Sequence, residues 1–208
     1  MKKYIVEFIG TFFLVFTVCM AGSTAGNFAP IAIGSALMIM IYAGGYISGA
    51  HYNPGVSVAV MIRGKLSSKD LIMYWIAQIA GGVAAAALAK YFFHYGDHAT
   101  AIYLTSRKIA LAAEAIGSFA IAFVVLNVAT SSKTAGNSFY GLAIGFTVVA
   151  MAYTLGPITG GSFNAGVAVG GTVFGIFGAN FLWVYLVGNI LGGVVAGLIY
   201  NFLKPDDN

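Results

Sequence analysis

Charge is what this chain has least of. Of 208 residues, 8% are Asp, Glu, Lys or Arg, while 60% are hydrophobic. Soluble domains carry about 25% charged residues, so the balance excludes an ordinary soluble globular domain. Cysteine is nearly absent as well. Cys19 stands alone inside the first apolar run, so no disulfide can form within the chain. The three histidines and one cysteine make no metal-ligand cluster; His94 and His98 fall four apart but in a loop with no third ligand, so no metal and no cofactor are expected. The net charge of +4 is small, and its basic residues flank apolar segments instead of forming a patch, which argues against a nucleic-acid partner. The 28 glycines have no three-residue period, excluding a collagen-like chain, and are spread through apolar runs, as in membrane helices whose backbones approach closely.

What is present is long apolar segments. A membrane helix needs about 20 mostly apolar residues. Six segments meet that length: 4–23, 32–51, 69–92, 109–130, 139–157 and 180–203. Met1-Lys2-Lys3 before an apolar stretch resembles a secretory signal. Glu7 interrupts that stretch, and the segment has a counterpart later in the chain, so it reads as the first membrane helix. Two further apolar runs, from Asn53 to about Ile62 and from Asn164 to about Ile176, are too short to span. Ten helical residues cover about 15 Å, half of a hydrocarbon core about 30 Å thick.

The chain states this plan twice. Gly45 to Val56, which contains Ser48-Gly49-Ala50-His51-Tyr52-Asn53-Pro54-Gly55, returns 111 residues later as Gly156 to Val167, with Thr159-Gly160-Gly161-Ser162-Phe163-Asn164-Ala165-Gly166. Glu7-Phe8-Ile9-Gly10-Thr11-Phe12 is matched by Glu114-Ala115-Ile116-Gly117-Ser118-Phe119, and Tyr74, Gln78 and Gly81-Gly82-Val83 by Tyr185, Asn189 and Gly192-Gly193-Val194. Three spans per half is odd, so the second copy enters the membrane from the opposite face, as an inverted repeat. The fold expected is an all-α membrane protein of six transmembrane helices plus two re-entrant half-helices. It forms one channel domain over 1–208, with repeat 1 at about 4–92, an external linker at 93–108 and repeat 2 at about 109–203. With the N-terminus inside, seven basic residues (Lys2, Lys3, Arg63, Lys65, Lys69, Lys133, Lys204) face the cytoplasm against three outside (Lys90, Arg107, Lys108). The positive-inside rule therefore puts both termini in the cytoplasm of a cell (inner) membrane.

The repeated motif has a physical reading. Asn is a favoured helix N-cap, and proline next to it is pre-organised for the first turn. Asn53 and Asn164 thus start two half-helices whose positive ends, each about +0.5 charge, meet at mid-membrane and oppose cations and protons. Their amides can donate to a passing oxygen. The non-helical approaches, 48–52 and 159–163, would offer backbone carbonyls to a lumen, the one place irregular backbone is tolerated at that depth. Glu7 and Glu114 are carboxylates inside membrane helices; accepting hydrogen bonds from the re-entrant backbone suits them better than proton relay. Gln78 and Asn189 read as interhelical or loop-supporting groups, and His51 as a loop brace.

These residues resemble the aquaporin and aquaglyceroporin channels, the major intrinsic proteins, over essentially the whole chain. The resemblance implies a pore in each subunit of a homotetramer, passive transport, two Asn-Pro-Ala motifs at the centre and a four-residue constriction toward the outer mouth. This chain has Asn53-Pro54-Gly55 and Asn164-Ala165-Gly166 instead. Carried over by offset, the constriction falls on Ile33, Ala152, Gly161 and Val167, where the family's usual arginine is replaced by Val167. A wider, apolar constriction is expected, without the tightest size filter. The phrase Gly156-Pro157-Ile158-Thr159-Gly160 is similar to plant and bacterial members that pass glycerol, urea or neutral metalloid acids. The expected partners are water, small neutral solutes and the lipid bilayer, and no enzymatic role is expected because no nucleophile, metal cluster or acid pair is present. The alternatives are a water-selective aquaporin and a coupled secondary transporter, which also uses broken helices and inverted repeats. A formate-type anion channel would want a basic residue near the constriction that is not there.

Overall fold

The computed structural model describes residues 1–93 and 101–203. His94, His98 and Lys204 lie outside these residues. Among the described residues eight α-helices run in the order α1 (Lys2–Thr24), α2 (Ala29–Ser48), α3 (Pro54–Ile62), α4 (Ser68–Phe92), α5 (Arg107–Val125), α6 (Tyr140–Thr159), α7 (Ala165–Phe174) and α8 (Leu182–Leu203). Six helical segments are long and apolar enough to cross a membrane. Helices α3 and α7, of nine and ten residues, are not; at 1.5 Å per residue they extend about 14 and 15 Å. Apart from an isolated bridge between Ile102 and Phe177, the described residues contain no β pairing.

Burial is arranged inside out. Ile5, Ile72, Ile116 and Phe202 are exposed, whereas Glu7, Gln78, Glu114 and Asn189 are wholly buried. An apolar exterior around a polar interior is stable only when the surrounding solvent is lipid, where buried polar groups must find partners within the protein. The chain is a multi-pass integral membrane protein.

Packing follows the internal repeat. The most extensive contacts are α1 with α4 and α5 with α8, so the first helix of each repeat lies along the last. Helices α2 and α6 pack on each other, α3 lies against α8, and α7 against α4. Each half-helix is therefore held by a helix of the other repeat.

The second span keeps the expected length but ends three residues earlier than the hydropathy suggests. Hydropathy runs through 51, but α2 ends at Ser48 because Gly49 takes the left-handed conformation at φ 84°. Gly160 does the same for α6 at φ 86°. Glycine has no Cβ penalty there, which is why both copies place one at this point. Ser48 and Thr159 are thus the last helical residues, and the irregular approaches run over 49–53 and 160–164, one residue later than the sequence suggests. In the second repeat α7 ends at Phe174, with Gly175 as its cap, two residues before the expected end of the short run, and a 3-10 turn over Ala179–Phe181 leads into α8.

Candidate solute pathway

Each re-entrant approach is folded around one buried carboxylate. Glu7 Oε1 accepts from Ser48 Oγ at 2.7 Å and from the His51 N–H at 3.0 Å. Its Oε2 accepts from the Tyr52 N–H at 2.7 Å and from Gln78 Nε2 at 2.8 Å. Glu114 repeats this on the other arm: Oε1 accepts from Thr159 Oγ1 at 2.6 Å and the Ser162 N–H at 3.2 Å, and Oε2 accepts from the Phe163 N–H at 2.7 Å. Tyr74 and Tyr185, on α4 and α8, donate their hydroxyls to Ser48 O and Thr159 O. Neither carboxylate has a charged partner among the described residues. Each is satisfied by donors that leave the strand of backbone no freedom to turn its N–H groups elsewhere.

With the N–H groups drawn toward the carboxylates, the carbonyls point the other way. Ala50, His51, Gly161 and Ser162 line the central cavity, and their carbonyl oxygens accept no hydrogen bond from other described groups. This alternation needs unusual backbone. Ala50, Tyr52 and Phe163 are the non-glycine residues at positive φ among the described residues, at 51°, 48° and 46°. Such conformations cost on the order of 1–3 kcal/mol each and persist only where surroundings over-determine them. Here the carboxylate cradles do so.

Both approaches end at an asparagine with extended backbone. Asn53 Oδ1 accepts from the Gly55 N–H at 2.9 Å, and Asn164 Oδ1 from the N–H groups of Gly166 and Val167 at 2.8 and 3.3 Å. These are N-caps of α3 and α7. With Oδ1 committed to the cap, Nδ2 must face outward. Asn53 Nδ2 donates to Phe163 O at 2.9 Å and Asn164 Nδ2 to Tyr52 O at 2.8 Å. Each amide retains a second N–H, and both asparagines line the cavity. The helix N-termini thus face one another across the centre, with their partial positive charge on the pathway.

Apart from Phe163 the rest of the wall is aliphatic, and its residues correspond across the repeat: Leu14 to Ile121, Ile33 to Ile144 and Val56 to Val167. No Asp, Glu, Lys or Arg lines it among the described residues. The lumen is narrow, with about 30 Å³ of room for water centres, space for two or three waters at roughly 10–15 Å³ each. At one end Ile41 and Ile144 separate it from a vestibule of about 720 Å³ that includes Arg63, Lys65 and Asn137 in its wall.

The other residues singled out from sequence are placed as follows. Ile33, Gly161 and Val167 lie on the lumen wall; Val167 is buried there at 3% exposure. Ala152 is half-buried and is not on this wall, where Ile144 and Val148 represent α6. His51 lies on the wall with Nδ1 3.0 Å from Ser57 Oγ. Ser57 Oγ donates to Asn53 O and accepts from Gln78 Nε2, so the proton between His51 and Ser57 belongs to Nδ1. Pro54 provides the first residue of α3 and its carbonyl accepts from Trp75 Nε1 at 3.2 Å. Gly55 meets α8 so closely that a Cβ would stand 2.5 Å from Asn189 O.

Ser57 and the wall residues Leu14, Ile121 and Val56 were not legible as site residues before the fold. For Leu14, Ile121 and Val56 the only sequence signal is an apolar counterpart in the other repeat, which a hydrophobic chain supplies easily; Ser57 has none, since its counterpart is Ala168.

Two half-helices meeting end to end around a narrow, uncharged lumen define a membrane channel of the aquaporin class. Residues 1–200 match the Major intrinsic protein family. The chain is 34% identical over 218 residues to a probable aquaporin NIP-type of Nicotiana alata, covering 100% of this chain and 79% of that one. It is 36% identical over 220 residues to a glycerol uptake facilitator protein-like 6 of Lactiplantibacillus plantarum, covering all of both chains. The X-ray structure of the aquaglyceroporin from Plasmodium falciparum superposes with a TM-score of 0.84 at 22% identity, covering 98% of this chain and 96% of that one. This chain belongs to the major intrinsic protein family.

Proposed function

We propose that this protein is a passive channel for water and small uncharged solutes bearing O–H or N–H groups, with glycerol, urea and neutral metalloid acids as the class it passes. One observation carries the reading. A pair of amide donors, on Asn53 and Asn164, sits between two runs of unpaired carbonyls, on a wall that is mostly aliphatic and has no Asp, Glu, Lys or Arg among the described residues. A solute with an apolar edge and a hydroxylated edge exchanges water for carbonyl and amide partners on one side and desolvates little on the other. A cation finds no counter-charge and meets the positive ends of two helices at the centre, and an anion finds no basic side chain on the wall. The L. plantarum relative's name concerns glycerol uptake, which supports the solute class.

The constriction is formed by Ile33, Gly161 and Val167, with Ala152 nearer the mouth at the C-terminal end of α6. Valine at 167 leaves it without the cationic side chain usual in the family, so size selection is relaxed. The protein sits in the cell membrane as a homotetramer with both termini cytoplasmic; the seven-to-three distribution of basic residues supports the orientation.

Reconstituted protein in vesicles, followed by osmotic light scattering with a trapped pH dye, tests this. Swelling in glycerol, urea and boric acid gradients should exceed that of empty vesicles, with no added dissipation of a pH gradient. Water flux without glycerol flux would favour a water-selective pore, and saturable uptake driven by a proton gradient would favour a coupled transporter.

A further inference from the structure

The two repeats differ at one backbone atom in the centre. Pro54, the first residue of α3, has no N–H, but Ala165, the first residue of α7, has one. A helix-start N–H at this depth has no water to satisfy it and needs a partner. Asn189 of α8 supplies that partner: its Oδ1 lies 3.1 Å from Ala165 N and 2.8 Å from Gly55 N. Two converging backbone donors require an oxygen there, which fixes the orientation of the amide. Its Nδ2 then faces Asn53 Oδ1 and Phe163 O, both at 2.9 Å, and Ser118 Oγ at 3.2 Å.

The corresponding residue of the first repeat behaves otherwise. Gln78 turns its nitrogen to Glu7 and Ser57, and its buried Oε1 has no hydrogen-bond partner. No N–H exists at Pro54 for it to accept. The amide on α8 is thus matched to alanine at 165, and the amide on α4 stands beside the proline at 54.

We infer that Asn189 is a positioning residue for the pore centre that stands in for the proline missing at position 165. It accepts the N–H that alanine exposes and, through its own nitrogen, holds Asn53 Oδ1 so that the Asn53 amide donates across to Phe163 and into the lumen. This rests on the reading of Asn53 as a mid-pore donor. The coupling between 165 and 189 has a definite sign. A proline ring carbon would replace the hydrogen of Ala165, about 1.5 Å from the nitrogen, and would collide with Asn189 Oδ1. Proline at 165 is therefore incompatible with asparagine at 189 and compatible with alanine there.

The test is a double-mutant cycle in vesicles, with glycerol and water flux normalised to incorporated folded protein and thermal unfolding measured in detergent. A165P and N189A should each lower flux about tenfold or lower the folded yield, and the double variant should recover most of the loss of either. A residue that merely packs α8 is not rescued by adding a proline on another helix. Losses that multiply in the double variant, or A165P harmless beside Asn189, would overturn the inference. If proline folds in neither background, amide hydrogen exchange over 163–168 decides: faster exchange in N189A supports the role, and unchanged protection overturns it. Yield, unfolding and exchange do not depend on which solute passes. Failure of the channel reading would instead appear as absence of flux in the unmodified protein.

Discussion

Asn53 and Asn164 each donate to the backbone that delivers the other: Nδ2 of Asn53 to Phe163 O at 2.9 Å, and Nδ2 of Asn164 to Tyr52 O at 2.8 Å. The two amides therefore share one geometry, and neither can rotate without breaking a bond to the opposite arm. Asn53→Asp and Asn164→Asp replace the donor with an acceptor facing a carbonyl. Each should lose one cross-bond and leave a charge beside an oxygen. Folded yield should fall, and the protein that does fold should pass glycerol about tenfold more slowly, the effect of ~1.4 kcal/mol on a barrier. Light scattering on reconstituted variants measures this; unchanged glycerol flux in both would remove the amides from the pathway.

The carboxylate cradles predict unequal costs. Glu7→Gln leaves a second amide nitrogen facing the Tyr52 N–H or the Ser48 and His51 donors, four donors in all, while Glu114→Gln disturbs three. An orphaned buried donor costs about 1–3 kcal/mol. Both variants should unfold at lower temperature in detergent, Glu7→Gln the more so. Equal or absent shifts would mean that the approaches hold their shape without the cradles.

Position 167 tests the constriction. Val167 is buried on the lumen wall, and Val56 mirrors it in the first repeat. Val167→Arg should fill much of the narrow passage and cut glycerol flux by about tenfold or more, with water affected less. Glycerol and water falling in the same proportion would place 167 outside the size-determining part of the lumen.

Close approach of α3 to α8 gives a packing prediction. Gly55 lies against Asn189, and a Cβ on Gly193 would overlap Gly55 O. Because the obstacle is backbone, neither neighbour can rotate aside. Gly55→Ala and Gly193→Ala should each destabilise by about 1–3 kcal/mol, read from unfolding in denaturing detergent mixtures.

By contrast, the ion pair between Lys3 and Asp70, at 2.8 Å, is partly solvent-exposed. Lys3→Ala should change stability by about 0–1 kcal/mol and leave solute flux unaltered. A large loss of flux would point to a role for the α1–α4 end that its exposure does not suggest.

Much of this fold was legible because membrane burial writes itself into length. Six runs of apolar residues and two half-length ones needed only hydropathy and the doubled Asn motif. Less legible was where helices stop. Apolar character continues through Ala50 past the end of α2, and only Gly49 at positive φ ends it. Ala152 has the composition of a wall residue, but the described wall takes Val148, one turn earlier on the same helix. Asn189 was recognisable as a support. Its link to both half-helices was not, because the N–H groups of Gly55 and Ala165 lie 134 and 24 residues away and carry no side-chain signature.

The cradles also set an order of events during synthesis. Every partner of Glu7 lies between Ser48 and Gln78, and every described partner of Glu114 between Thr159 and Phe163. The first arm can therefore take its shape as soon as α4 has left the ribosome. Its tip cannot: Asn53 waits for Phe163 and Asn189, 110 and 136 residues downstream. Until then a capped half-helix sits in the bilayer with its amide unanswered, and the arrival of the second half is what closes the joint.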